Sequence, residues 1–161
     1  MGRTKQKPTE SVWDYPRPPA IERSRERVRV VFGGKTIADT TKAMRILETS
    51  HPPTYYIPRE DIDPEALEPT RGSTFCEFKG RASYYDVCVG DTRAAGAAWI
   101  YPAPTAPYRD ISDSVAFYPG LMDACYVDDE RIQSQAGSYY GGWITSNIKG
   151  PFKGGPGTGG W

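Results

Sequence analysis

The feature that most restricts this chain is the spacing of its apolar residues. They fall in short alternating runs, and a turn residue closes each run before a long helix can form. Val28, Val30 and Phe32 alternate with Arg27, Arg29 and Val31, the period of a half-buried strand. Gly33 and Gly34 follow, and then Thr36, Ile37, Ala38 and Asp39. Two short strands around Gly-Gly form a β-hairpin, because glycine supplies the positive φ that tight hairpin turns need. Further strands are expected over residues 54–57, 74–79, 82–89, 97–101, 115–118 and 122–127, separated by pairs such as Gly90-Asp91 and Pro119-Gly120. Residues 43–48 fit a strand or one to two helical turns, and Pro52-Pro53 stops them. The helical cue lies over 58–69, where Pro58 precedes Glu60, Asp61 and Asp63 and where Pro64 opens a possible second turn. The expected class is mainly β and antiparallel, a sandwich or barrel-like arrangement.

A chain of 161 residues has room for one domain with a real core. Residues 1–26 read as an N-terminal arm, rich in proline and charge and without periodicity, although Trp13 and Tyr15 are expected to dock on the domain. Residues 27–136 form the β-rich domain. Residues 137–161 form a glycine- and aromatic-rich wrap on the same domain, pinned by Trp143, Phe152 and Trp161. Lys plus Arg number 20 and Asp plus Glu number 20, a balance that makes nucleic acid or an anionic membrane an unexpected main partner. The basic residues of the arm, Arg3, Lys5, Lys7, Arg23, Arg25 and Arg27, are diluted by Glu10, Asp14, Glu22 and Glu26. No apolar run is long enough for a transmembrane helix, the N-terminus lacks a signal-peptide core, and Gln6 stands where a myristoylation signal needs Ser or Thr. A cytoplasmic protein is the expectation. Cys76, Cys88 and Cys125 show no C-x-x-C spacing, so reduced thiols and no metal or other cofactor are expected.

Several stretches, taken in order, resemble one family. They are residues 29–34 (RVVFGG), 46–53 (ILETSHPP), 76–80 (CEFKG) with Ala82 and Tyr84, 97–102 (AAWIYP), 116–120 (AFYPG) and 140–145 (YGGWIT). From about residue 12 to residue 161 the chain resembles the domain of unknown function 427 family, which sometimes carries a nucleotidyltransferase-like label. Phe78 stands where that family often has Trp. The resemblance implies a β-tent-like fold, two antiparallel sheets meeting at an angle with one or two short helical segments, as in methionine-R-sulfoxide reductases and zinc-knuckle proteins. It implies no particular activity. The paired C-x-x-C motifs of zinc knuckles are absent, and so is a phosphate-binding loop. Residues 155–160 match G-x-G-x-x-G in letters only, since no strand precedes them and no helix follows.

Among candidate chemical groups Cys76 comes first, as a thiol nucleophile that the Lys79 ammonium could activate. Strand parity opposes the pair, because Cys76 groups with Thr74 and Phe78 while Lys79 groups with Phe75 and Glu77. Only a bend near Lys79-Gly80 would bring the two to one side. The alternative is Cys76 as a small buried hydrophobe. His51, the only histidine, could serve as an acid or base or as a loop residue. Glu48, Tyr56, Tyr84, Tyr85, Trp99 and Tyr101, with Lys79, could line an aromatic pocket for a small polar or anionic ligand. In the opposing account the aromatics are sheet core and Glu48 pairs with an arginine such as Arg45. Two functions follow: binding of an unidentified small molecule, with or without thiol catalysis by Cys76 and Lys79, or a non-catalytic protein-interaction module.

Overall fold

The computed structural model describes residues 7–135 and 140–154. Among the described residues fifteen strands run in chain order: β1 (Glu10–Ser11), β2 (Ala20–Arg23), β3 (Val28–Phe32), β4 (Lys35–Thr40), β5 (Met44–Leu47), β6 (Thr54–Pro58), β7 (Leu67–Cys76), β8 (Gly80–Val89), β9 (Thr92–Ile100), β10 (Ser114–Phe117), β11 (Ala124–Val127), β12 (Glu130–Arg131), β13 (Gln133–Ser134), β14 (Trp143–Ile144) and β15 (Ile148–Lys149). Two antiparallel sheets dominate. The larger has seven strands in the order β2-β5-β6-β10-β9-β8-β7, and the smaller has four in the order β12-β11-β3-β4. Neither closes into a barrel. Two ribbons complete the set, antiparallel β13-β14 and parallel β1-β15.

The β3–β4 hairpin follows from its residues. Val28, Val30 and Phe32 are buried, Arg29 and Val31 are half-buried, and Gly33 and Gly34 turn at φ +59° and +75°. A side chain at Gly33 would also meet Val89 at 2.8 Å. The ambiguous segment 43–48 is strand β5. The helical segment 58–69 is two short 3-10 turns, Arg59–Asp61 and Pro64–Ala66, after which β7 already begins at Leu67. The expected strand 74–79 therefore ends at Cys76, and 77–79 is the turn into β8. That turn shortens the strand because Gly80, at φ +106°, pairs directly with Cys76.

The central strands β5, β6 and β10 of the large sheet, with the second half of β9, are buried on both faces, and their residues alternate between two cores. Tyr55 and Ile57, Ala98 and Ile100, Val115 and Phe117 face the small sheet, in one cluster with Val28, Val30, Val127 and Trp143. Tyr56, Trp99, Tyr101 and Ala116 share the opposite cluster with Met44, Ile46, Tyr108 and Ile111. Residues 7–26, the described part of the N-terminal arm, carry β1 and β2 and pack on the domain. β2 is an edge strand of the large sheet, Val12 and Tyr15 are buried against Leu47 and Ile148, and Tyr108 donates a 2.6 Å hydrogen bond to the Pro19 carbonyl. Trp13 donates to the Pro151 carbonyl at 2.9 Å, linking residues 138 positions apart. In the glycine-rich segment Trp143 is fully buried and Phe152 half-buried. Trp161, the 155–160 glycine run, Arg3 and Lys5 lie outside the described residues. Among the described residues no helix is long and apolar enough to cross a membrane.

Candidate functional site

The face of the large sheet that carries Tyr56, Trp99 and Tyr101 is not completely covered, and a cleft of about 260 Å³ opens there. Period-two alternation puts these rings on its floor, since Tyr84 of β8 sits opposite Trp99 of β9, and Trp99 opposite Ala116 of β10. Trp99 packs on Tyr118 at 4.5 Å between ring centroids and meets Tyr56 edge-on at 6.3 Å. Its indole N–H donates to the Tyr56 hydroxyl at 3.2 Å. Tyr56 is held far above the usual phenol pKa by burial first and by its phenolic neighbours second. Burial likewise raises Tyr101 and pushes Tyr118 up to about 12. The floor thus stays uncharged, with its phenols as donors.

Cys76 and Lys79 both line the cleft. The bend at Lys79-Gly80 overrides strand parity, and the turn is fastened from outside. The Thr105 amide donates to the Lys79 carbonyl at 3.0 Å, and the Thr105 hydroxyl to the Phe78 carbonyl at 2.5 Å. Lys79 is 9% exposed. Its Nζ lies 5.7 Å from the centroid of the Tyr101 ring. Among the described residues no carboxylate lies within ion-pair distance of it. Cys76 is half-buried, whereas Cys125 is buried and held as a thiol by that burial. Cys88 lies elsewhere, 3.9 Å from a carboxylate oxygen of Glu68.

Glu48 and His51 form another part of the wall. Glu48 does not pair with Arg45, which is bound to Glu10. Its nearest cation is Arg17, with Nε at 3.8 Å. His51 is fixed by Gln135. The Gly142 amide donates to Gln135 Oε1 at 3.2 Å, and Gln135 Nε2 donates to the Lys153 carbonyl at 2.8 Å, so the side-chain amide has one orientation. Its nitrogen then faces His51 Nδ1 at 3.4 Å. A nitrogen that can only donate makes Nδ1 the acceptor and leaves the imidazole proton on Nε2. Burial lowers the His51 pKa; Glu48 opposes this, and Lys153, Arg17 and Lys79 add to it. The ring is therefore neutral at neutral pH and presents an N–H.

Of the residues singled out from the sequence, Glu48, Tyr56, Cys76, Lys79, Trp99 and Tyr101 come together here, and His51 joins them. Tyr85 does not. It packs with Val87 and Val89 on the other face and borders a separate groove with Ile62 and Leu67, and Tyr84 holds the position by the cleft. Tyr118, Gln135, Tyr140 and Gly141 also line the cleft without having been singled out. Parity with Ala116 could have found Tyr118. The other three sit in irregular chain, where no period helps. Gly141 is required by contact, since a side chain there would come within 2.3 Å of Trp99. Among the described residues, no three His, Cys, Asp or Glu side chains gather as metal ligands would.

No curated protein matches the chain. A family model described as "Domain of unknown function (DUF427)" matches residues 20–128, which hold most of the cleft wall; Gln135, Tyr140 and Gly141 lie beyond it. With over half its length covered by that match, the chain belongs to the DUF427 family.

Proposed function

We propose that the chain binds a small organic anion in this cleft, with Lys79 as the cation that receives it and the Trp99, Tyr101 and Tyr118 rings holding its apolar part. The observation that carries the reading is Lys79 itself, an ammonium nine-tenths buried, facing an open cleft and without a carboxylate partner among the described residues. A charge withdrawn from water is costly unless an opposite charge or hydrogen bonds meet it. The N–H of His51 and the phenols of the floor add donors, again suited to an electron-rich ligand. A volume of about 260 Å³ suits a compact metabolite. Free thiols support a reducing, cytoplasmic setting.

Titration calorimetry with matched small carboxylates and their neutral amides or alcohols tests this. The anions are expected to bind and the neutral analogues not, and Lys79→Met is expected to weaken anion binding at least tenfold. Failure of every anion at millimolar concentration, or indifference to Lys79→Met, overturns it. A silent screen would favour the alternative of a protein-interaction module, for which Phe75, 72% exposed at the rim, is the supporting observation.

Thiol chemistry at Cys76 is part of the same proposal. Iodoacetate and iodoacetamide alkylate the same sulfur but differ in charge. Cys76 is expected to label before Cys88 and Cys125, and the iodoacetate-to-iodoacetamide rate ratio at Cys76 is expected to fall several-fold in Lys79→Met. Site-resolved mass spectrometry reads both. Equal labelling of the three thiols removes Cys76 from the proposal.

A further inference from the structure

We infer that the anion bound in this cleft carries a hydroxyl group, so that the ligand class is the hydroxy acids. The inference rests on the anion-binding reading and adds a second recognition element to it, the space between His51 and Glu48. His51 Nε2, which bears the imidazole proton, lies 4.0 Å from Glu48 Oε2. That distance is too long for a hydrogen bond and too short to hold anything larger than one bridging atom. Both residues line the cleft proposed to hold the ligand.

The gap has a donor on one side and an acceptor on the other. A group that bridges it must accept from Nε2–H and donate to a carboxylate through a single heavy atom. A carbonyl or carboxylate oxygen cannot donate, and an ammonium cannot accept. An amide accepts and donates through two different atoms. A hydroxyl does both through one oxygen. Two contacts of about 2.8 Å span the gap with an angle of roughly 90° at that oxygen, a geometry open to a hydroxyl. The anionic group of the same molecule then meets Lys79, which lines the same cleft as His51 and Glu48. In the unliganded protein a water can make the same bridge, and a ligand hydroxyl that replaces it reproduces its hydrogen bonds.

The test uses the full chain and two probe pairs that differ only by one hydroxyl, mandelate against phenylacetate and lactate against propionate. Calorimetry on the wild type is expected to show the hydroxy acid of at least one pair bound about tenfold more tightly than its deoxy partner, the scale of a hydrogen bond to a charged group. Glu48→Ala is expected to bring that ratio close to one while the deoxy acid still binds, since the variant removes a negative charge from the cleft. His51→Phe removes the other half of the bridge, is expected to give the same collapse, and serves if Glu48→Ala misfolds. Equal binding within both pairs, or a ratio unchanged in both variants, overturns the hydroxyl assignment and leaves the anion-binding reading standing. Absence of all binding by all four acids overturns both.

Discussion

Replacing Trp143 with alanine is expected to cost roughly 3–5 kcal/mol, the usual range for deleting a fully buried tryptophan. For a domain of this size the melting temperature should fall on the order of 10 °C. Trp143 has no exposed surface, stacks on Tyr55 at 5.0 Å between centroids, and donates its indole N–H to the Phe117 carbonyl at 3.4 Å. Its backbone amide donates to the Pro53 carbonyl at 2.8 Å. The loss should reach the cleft too, because Trp143 anchors Gly142, whose amide orients Gln135 and through it His51. Leu121→Ala supplies the contrast. That side chain is 50% exposed, and its loss should cost under about 1 kcal/mol. If thermal unfolding places the two variants together, the glycine-rich segment is not part of the core.

The second large effect is expected at Glu10. Its carboxylate accepts from Arg45 Nη2 at 2.6 Å and from the Tyr15 hydroxyl at 2.5 Å. The Arg45 side chain is only 8% exposed, so Glu10→Gln leaves a buried guanidinium whose remaining carboxylate, Glu22, is 3.6 Å away. Stranding one partner of a fully buried pair costs about 3–5 kcal/mol. Glu10 is 31% exposed, which solvent screening discounts to roughly 2–3 kcal/mol. Burial pushes the Glu10 pKa up, but the hydrogen bonds from Arg45 and Tyr15 and the arginine charge outweigh it, and the net shift is below the ordinary 4.5. The stabilisation is therefore complete above about pH 4.5 and is lost as the pH falls below it through the depressed folded value. Urea midpoints of wild type and Glu10→Gln should differ at pH 7 and converge in acid. A difference that stays constant down to pH 3 would show that the Glu10 charge is not what stabilises the pair.

How far the sequence could be read depended on whether a period governed the segment. Val28, Val30 and Phe32 gave their strand because one face is wet, and Gly33-Gly34 gave the turn because few other residues adopt its φ. The large sheet is buried on both faces along residues 54–57 and 97–101, so these segments read as strands without saying which alternate residues face which core. That is why the sequence alone groups Tyr85 with Trp99 although β8 sends it the other way. The arm looked formless because β1 and β2 are short and their partners, β15 and β5, lie far away in sequence. Cys76 and Lys79 line one cleft because a turn replaces three residues of the expected strand. The tautomer of His51 depends on Gln135 and Gly142, and no spacing rule links residues 51, 135 and 142.

That dependence has a consequence for the order in which the protein is made. The floor and the Lys79 turn are complete once β10 has emerged from the ribosome, whereas Gln135, Tyr140 and Gly141 arrive more than ten residues later. A nascent or truncated chain that ends soon after β10 carries the aromatic floor and the ammonium, but its imidazole has no partner to fix the proton. On the anion-binding proposal, such a fragment is expected to keep the Lys79 preference for anions and to lose the discrimination that a fixed His51 proton adds.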